Sequence, residues 1–390
     1  MSVIVCLVKN ILKVGNYMNI LVTAEQFGYG PVATALSVVK ELKKYPEIKL
    51  TFMGTGIALE QAVMSNYFDK IIECKTFDFD ELEKYKNIIL SFDVILSSEN
   101  QPGAKFAITN GHKNVYFIDN LMWMWDKLDD GLEKAKGYII SEIISSKANF
   151  ERIGKNIENP IFIGPLREIN TNKKLKKENK LIINTGGAEA FVIDSEIVKK
   201  YYNKIINEIL SSDIVKKFDK IIICGGSGVI NYLKLNNKSS KIRVETLSNQ
   251  DYLNELNTCS HIILASGLGN FIESVWRDKE IMYIPPINYS QLLQLDYYKE
   301  LDLGFKIVNW DKFNFFTKIP QLLDENTGVE MVISNVKKYL NSKTDIIANE
   351  TIDFLKKSQK NYYHKRNDYA KQFDNSSSRK IAEIIMKECR

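Results

Sequence analysis

The chain has 390 residues, 45% hydrophobic and 26% charged, a globular composition too long for one ordinary core, so two domains are expected. Its net charge of +5 suits an anionic small substrate or a membrane surface; without an RRM-like, zinc-finger or basic-zipper pattern, nucleic acid is not expected as a partner. Five scattered cysteines without a CxxC, three histidines without metal-ligand spacing and no apolar run of the ~20 residues that span a bilayer predict a cytoplasmic protein with free thiols and no metal site.

Residues 1–17 hold a short apolar section with no small-residue cleavage site. They read as an N-terminal extension ahead of Met18, or as a membrane-surface helix that would give a peripheral membrane contact. An apolar strand over 18–24 leads into Glu25-Gln26-Phe27-Gly28-Tyr29-Gly30-Pro31. A helix follows, with apolar residues at Val32, Ala35, Leu36, Val39 and Leu42. Further strands are predicted over 48–53, 70–74, 92–97, 114–118, 137–140 and 161–163, with helices near 57–66 and 79–88. Strands alternating with helices indicate a parallel sheet covered on both faces, here spanning 18–169. Lysine-rich 170–180 is the expected linker. A second alternation fills 181–360, with strands over 181–184, 220–224, 241–244, 261–265 and 281–284. Helices are expected near 194–211 and 249–257 and from about Asn270. Residues 361–390 are polar and helical, and end in a helix carrying Ile381, Ile384, Ile385 and Met386.

The stretch 261–294 is the densest in chemistry. A strand that stops at Ser266-Gly267-Leu268-Gly269 and opens a helix exposes backbone N–H groups at the positive end of the helix dipole. That is an anion site, most often for phosphate. Glu273, four residues on, would repel phosphate; it suits a sugar diol, or simply complements the dipole of its own helix. Glycine loops also end other strands: Gly28 and Gly30, Gly186 and Gly187, and Gly225, Gly226 and Gly228. In a parallel sheet these are ligand-binding ends. A dinucleotide fits poorly. Gly28-Tyr29-Gly30-Pro31-Val32-Ala33 matches GxGxxG/A but begins four residues past its strand, and the next strand ends at Gly54 with no acid for a ribose. No GxxxxGK[ST] is present.

As a set, these loops resemble those of the GT-B glycosyltransferases, the group of the peptidoglycan N-acetylglucosaminyltransferase and the UDP-glycosyltransferases. Gly28-Tyr29-Gly30 is similar to the family's acceptor-side glycine loop, and Thr185-Gly186-Gly187 to its first donor-domain loop. Ser266-Gly267-Leu268-Gly269 with Glu273 is similar to the donor signature, in which glycine amides hold the diphosphate and the glutamate binds the ribose. Gln291 and Gln294, after Pro285-Pro286, stand where the family presents amides to the sugar hydroxyls. The resemblance implies an α/β fold of two Rossmann-like parallel-sheet domains facing a cleft, with a C-terminal helix returning to the N-terminal domain. It implies inverting transfer from a nucleotide-sugar donor, a UDP-sugar. Gly186, Gly187, Gly226, Ser266, Gly267, Gly269, Glu273, Ser290, Gln291 and Gln294 would bind that donor, and Val244 to Leu247 its base. A small-molecule, glycan or lipid-linked acceptor would lie on the first domain, near Gly28 and Gly30. The resemblance implies no cofactor and no metal, because relatives use a helix dipole and basic groups instead. A UDP-sugar 2-epimerase of the same fold is one alternative, although that family shows two adjacent glutamates where this chain has Glu273 and Ser274. A non-catalytic sugar-nucleotide-binding protein is the other.

One departure concerns the base. Many relatives carry a histidine just past the acceptor-side glycines, where this chain has Pro31. An inverting transfer needs a group that deprotonates the acceptor hydroxyl. Glu25, Glu99 and Glu189 all stand just past strand ends, and Glu99 follows the central strand; each also suits a loop cap. Asp78-Phe79-Asp80 spells the DxD metal motif of the other glycosyltransferase fold, but Asp80 is expected to cap a helix. Asp119, Trp123 and Trp125, with Met124, follow another strand end. They form either plain core or the wall of an acceptor pocket.

Overall fold

Runs such as Ile20-Leu21-Val22 and Ile262-Ile263-Leu264 are buried throughout, which is how strands look inside a parallel sheet covered on both faces. The computed structural model describes residues 17–128, 130–167, 176–188, 194–373 and 376–388, without the side chain of Ile214. The expected positions 1–16 of the N-terminal extension, 170–175 of the linker, and Glu189 lie outside the described residues.

The first sheet contains β1 (Met18–Ala24), β2 (Ile48–Gly54), β3 (Lys70–Glu73), β4 (Val94–Ser98), β5 (Val115–Asp119), β6 (Gly137–Ser141) and β7 (Pro160–Ile163), in the order β3-β2-β1-β4-β5-β6-β7. The second contains β8 (Lys180–Asn184), β9 (Lys220–Cys224), β10 (Ile242–Glu245), β11 (His261–Leu264), β12 (Glu280–Tyr283) and β13 (Lys306–Ile307), in the order β10-β9-β8-β11-β12-β13. All pairings are parallel, as the alternation of strands and helices predicts. Each order reverses once, between β1 and β4 and between β8 and β11. At such a point the chain leaves neighbouring strands toward opposite faces, and a crevice opens beyond their carboxyl ends. The loops after β1, β4, β8 and β11 therefore border the two crevices.

Three local expectations need correction. Residues 288–294, a polar segment for which no helix is predicted, cap and begin the helix Tyr289–Glu300, with Asn288 accepting from Gln291 N at 2.8 Å. Burial of Ser290 and Gln294 hides the helical period there. The helix expected near 79–88 is split at Tyr85 into Phe79–Lys84 and Lys86–Ile89. Its cap is Asp78 rather than Asp80: the Asp78 carboxylate accepts from Asp80 N at 2.9 Å and Glu81 N at 3.3 Å.

The chain leaves the second domain over a fixed point. The Gln359 side chain pairs with β12 like a short strand, accepting from Ile281 N and donating to Ile281 O, both at 2.9 Å. Arg366, buried, then donates to Leu303 O, Lys279 O and Gln359 Oε1. Beyond that anchor the helix Ser377–Glu388 packs on the first domain. Its Ile381, Ala382, Ile385 and Met386 join the core formed by Val32, Leu36, Val39 and β1. This is the return of the C-terminal helix that the resemblance implies. No described helix is long and apolar enough to cross a membrane. Because Ile385 is fully buried, Ile385→Ala is expected to cost about 2–5 kcal/mol, measured as a lower urea midpoint.

Candidate active site

The two sheets face each other across one cleft. Its second-domain wall is built from the loops after β8 and β11 and the start of the helix Tyr289–Glu300. At the β11 end the chain turns at Ser266 and Gly267 into the helix Leu268–Val275, whose first N–H groups point along the helix axis into the cleft. Glu273, one turn in, is buried with its carboxylate on the cleft, while its carbonyl accepts from Arg277 Nη1. Asn270 braces the turn by donating to Ala265 O at 3.2 Å. Ser266 Oγ donates to Gln291 O at 3.3 Å, so the two helix starts are tied together.

Glycine is required where loops touch. A Cβ on Gly187 would lie 2.7 Å from the Gly28 backbone across the cleft, and one on Gly226 2.2 Å from Gly187 O. Gly28 and Gly186 have φ of +64° and +66°, which favour glycine.

On the first-domain wall Glu99 follows β4 in left-handed backbone, φ +56°, a conformation costly for a residue with a Cβ. Its half-buried carboxylate accepts from Asn120 Nδ2 at 2.6 Å. Burial raises its pKa to about 7; nearby Asp119 and Glu25 also push it up, while the Asn120 hydrogen bond and the Arg167 charge oppose the rise. A carboxylate that titrates near neutrality is suited to general-base work.

Arg167, just past β7, was not singled out by the sequence. It is buried, donates from Nη1 to Thr34 Oγ1 at 2.6 Å and from Nη2 to Gly30 O at 3.1 Å, and sets Nε 3.9 Å from Glu273 Oε1. This ion pair joins the domains at the cleft, which both residues line. A second contact does so at the far side, where Gln61 Nε2 donates to Leu247 O at 3.1 Å. Leu247, Cys224, Asn249 and Tyr252 line that end of the cleft.

Gly28, Gly30, Glu99, Gly186, Gly187, Ser266, Gly267, Gly269, Glu273, Ser290, Gln291 and Gln294 all line this one cleft. Glu25, Gly226, Asp119, Trp123 and Trp125 do not. Glu25 is raised in pKa by burial and accepts from Asn100 Nδ2 and Gln26 N, both at 3.1 Å. Gly226 packs behind Gly187. Asp119 is a fastening inside the domain: it accepts from Leu121 N at 2.7 Å, Tyr138 OH at 2.9 Å and Trp125 Nε1 at 3.2 Å. Trp123 Nε1 donates to Asn120 O at 3.1 Å, so both indoles are spent on local bonds. Thr34, Asn120 and Gln61 were also missed. They are neutral residues on helices or past strand ends, and only the fold brings them to the site. Arg167 follows its strand only after Gly164-Pro165-Leu166 and stands next to Glu168, so no local pattern marks it.

No family model matches the sequence, and no curated protein matches it. Solved structures do resemble it. Phytolacca americana UGT2, complexed with UDP-2fluoro-glucose and pterostilbene, aligns over 95% of this chain and 99% of its own at 11% identity and a TM-score of 0.52. Arabidopsis thaliana UGT89C1, complexed with quercetin, aligns over the same shares at 12% identity and 0.51. A UDP-glucosyltransferase from Polygonum tinctorium capable of glucosylating indoxyl does so at 12% and 0.50. The chain has the GT-B fold of these glycosyltransferases.

The raised pKa of Glu99 makes stability depend on pH. Between its ordinary value of 4.5 and about 7 the folded chain keeps a proton that the unfolded chain has released, so this contribution to stability is lost as pH rises through that window. Glu99→Gln, which retains an acceptor for Asn120, is therefore expected to be close to neutral at pH 4.5. At pH 8 it is expected to be more stable than the parent by on the order of 2 kcal/mol, read from denaturant melts at both pH values.

Proposed function

We propose that the chain is a glycosyltransferase that moves a sugar from a UDP-sugar to an acceptor hydroxyl with inversion and without a metal. The observation that carries this reading is that a helix start, a carboxylate and two amides share one cleft with a carboxylate of near-neutral pKa on the opposite wall. A nucleotide sugar needs N–H donors for its phosphates, a diol acceptor for its ribose and neutral amides for its sugar. Gly267 to Gly269, Glu273, and Gln291 with Gln294 are of those types. The donor is assigned to 181–360 and the acceptor to 18–169, joined through 170–180. Two of the solved proteins of this fold support the assignment, since one holds UDP-2fluoro-glucose with pterostilbene and another quercetin.

In this mechanism Glu99 takes the proton of the acceptor hydroxyl as its oxygen attacks the anomeric carbon, and the bond from that carbon to the diphosphate breaks. The negative charge gathering on the leaving diphosphate is stabilised by the helix start at Gly267 and by the buried guanidinium of Arg167. Those groups take the part a divalent cation plays in other transferases. Pro31 is no obstacle, because the base comes from the loop after β4 rather than the loop after β1.

A thermal-shift screen against UDP-, GDP- and dTDP-sugars tests the donor. A UDP-sugar at 100 times its Kd is expected to stabilise the fold by about 2.7 kcal/mol, and Glu273→Ala to abolish that shift. No shift with any of the three would sink the donor assignment. With an acceptor found, UDP release is expected only in its presence and to persist in EDTA; epimer formation without acceptor would instead identify a 2-epimerase. Glu99→Gln should lower kcat roughly 10²–10⁴-fold with donor binding retained.

A further inference from the structure

Glu99 is not held by its own loop alone. Asn120 Nδ2 donates one hydrogen to Glu99 Oε1 at 2.6 Å and the other to Thr34 Oγ1 at 3.0 Å, while Asn120 Oδ1 accepts from Ser141 Oγ. The amide is pinned on three sides and cannot turn without breaking a bond. Thr34 is saturated in its turn. Its hydroxyl donates to Gly30 O at 3.0 Å, and its lone pairs take Asn120 Nδ2 and Arg167 Nη1, the latter at 2.6 Å. Arg167 completes the series by turning its Nε, buried and without a hydrogen bond, toward Glu273 Oε1 at 3.9 Å. Gly269 of the other domain leaves room for the guanidinium, since a Cβ there would stand 2.7 Å from Arg167 Nη2.

We propose that Asn120 and Thr34 are positioning residues that tie the Glu99 carboxylate to the domain interface, so that it is held for reaction only while Arg167 sits against Glu273 and Gly269. The proposal rests on the reading of Glu99 as the base. Five elements contribute: the ends of β4 and β5, the helix Gly30–Leu42, the segment after β7, and the helix Leu268–Val275 of the other domain. In a series of linked hydrogen bonds ending in an ion pair the loss of one member leaves the next without its orienting partner, so a disturbance at one end is felt at the other. The charged groups acting on Glu99 are Asp119, Glu25 and Arg167. The two carboxylates disfavour its charged form, and Arg167 and the Asn120 bond favour it. Displacing Arg167 or freeing Asn120 therefore makes Glu99 harder to ionise. Domain closure and readiness of the base become one event, and an open cleft carries a poorly prepared carboxylate.

The test needs neither donor nor acceptor, so it can fail or succeed independently of the transferase reading. The full chain is labelled with ¹³C at glutamate carboxyls, the Glu99 signal is identified by its loss in Glu99→Gln, and its titration is followed by NMR. Thr34→Val touches Arg167 and Asn120 but not Glu99, and Gly269→Ala lies in the other domain and crowds Arg167. Each is expected to raise the Glu99 midpoint by about one unit, a tenfold change in its ionisation constant. Asn120→Ala, which removes the direct bond, is expected to raise it at least as far. Thr34→Ala replaces Thr34→Val if the latter does not fold. A Glu99 midpoint unchanged from the parent in either the Thr34 or the Gly269 variant overturns the proposal.

Discussion

A buried guanidinium has to be paired, and the pairing of Arg167 determines how the two halves of this molecule meet. Removing an arginine from water is costly unless its donors and its charge are met inside. Thr34, Leu166 and Gly30 accept from Nη1 and Nη2 within the first domain, while Nε has no hydrogen bond and faces the Glu273 carboxylate of the second. The first domain alone would leave the charge of Arg167 without that carboxylate, and the second domain alone would leave Glu273 without that guanidinium. Stability thus favours the arrangement in which the helix Leu268–Val275 faces the loops after β1 and β4. The cleft is the space left between them.

Close approach of the backbones is the second condition. Gly28 against Gly187, and Gly187 against Gly226, form a stack of loops in which a Cβ on Gly187 or Gly226 would force a separation. Such a stack places the carboxyl ends of both sheets within reach of one small molecule. It also accounts for the use of glycine here in physical terms: two positions need left-handed backbone, and two need room.

The extent to which the sequence displayed this depends on the kind of signal. Fully buried strands such as Ile20 to Val22 and Ile262 to Leu264 are apolar runs bounded by glycine, so the alternation and the two sheets were legible. So was the wall formed by Gly267, Glu273, Gln291 and Gln294, because a helix start with a nearby carboxylate is a local pattern. The helix Tyr289–Glu300 was not, since its cleft-facing side is polar and buried and its hydrophobic period is lost. Arg167, Asn120, Thr34 and Gln61 come from separate parts of the chain, and no local spacing announces their meeting. Conversely, Asp119, Trp123 and Trp125 looked like a site because polar and aromatic groups follow a strand end. In the fold their polar atoms bond to one another and to neighbouring backbone, as buried polar groups generally must.

Glu99 carries two costs at one residue. Left-handed backbone at a non-glycine position costs on the order of 1–3 kcal/mol, and burial of the carboxylate opposes its ionisation. A loop cap needs neither, since an asparagine or glycine would adopt the same φ more easily and would carry no charge to bury. Glu25, at a neighbouring strand end, shares the cost of a buried carboxylate but not the left-handed backbone, and its carboxylate bonds locally to Asn100 and Gln26. The strain at Glu99 turns its side chain away from such local partners toward Asn120, on the cleft side of the sheet. A conformation that raises the energy of the fold while presenting a near-neutral carboxylate to an open cleft argues for chemistry at that carboxylate. On the proposed reading, Glu99 supplies the base that the resemblance places at a histidine and that Pro31 cannot supply here.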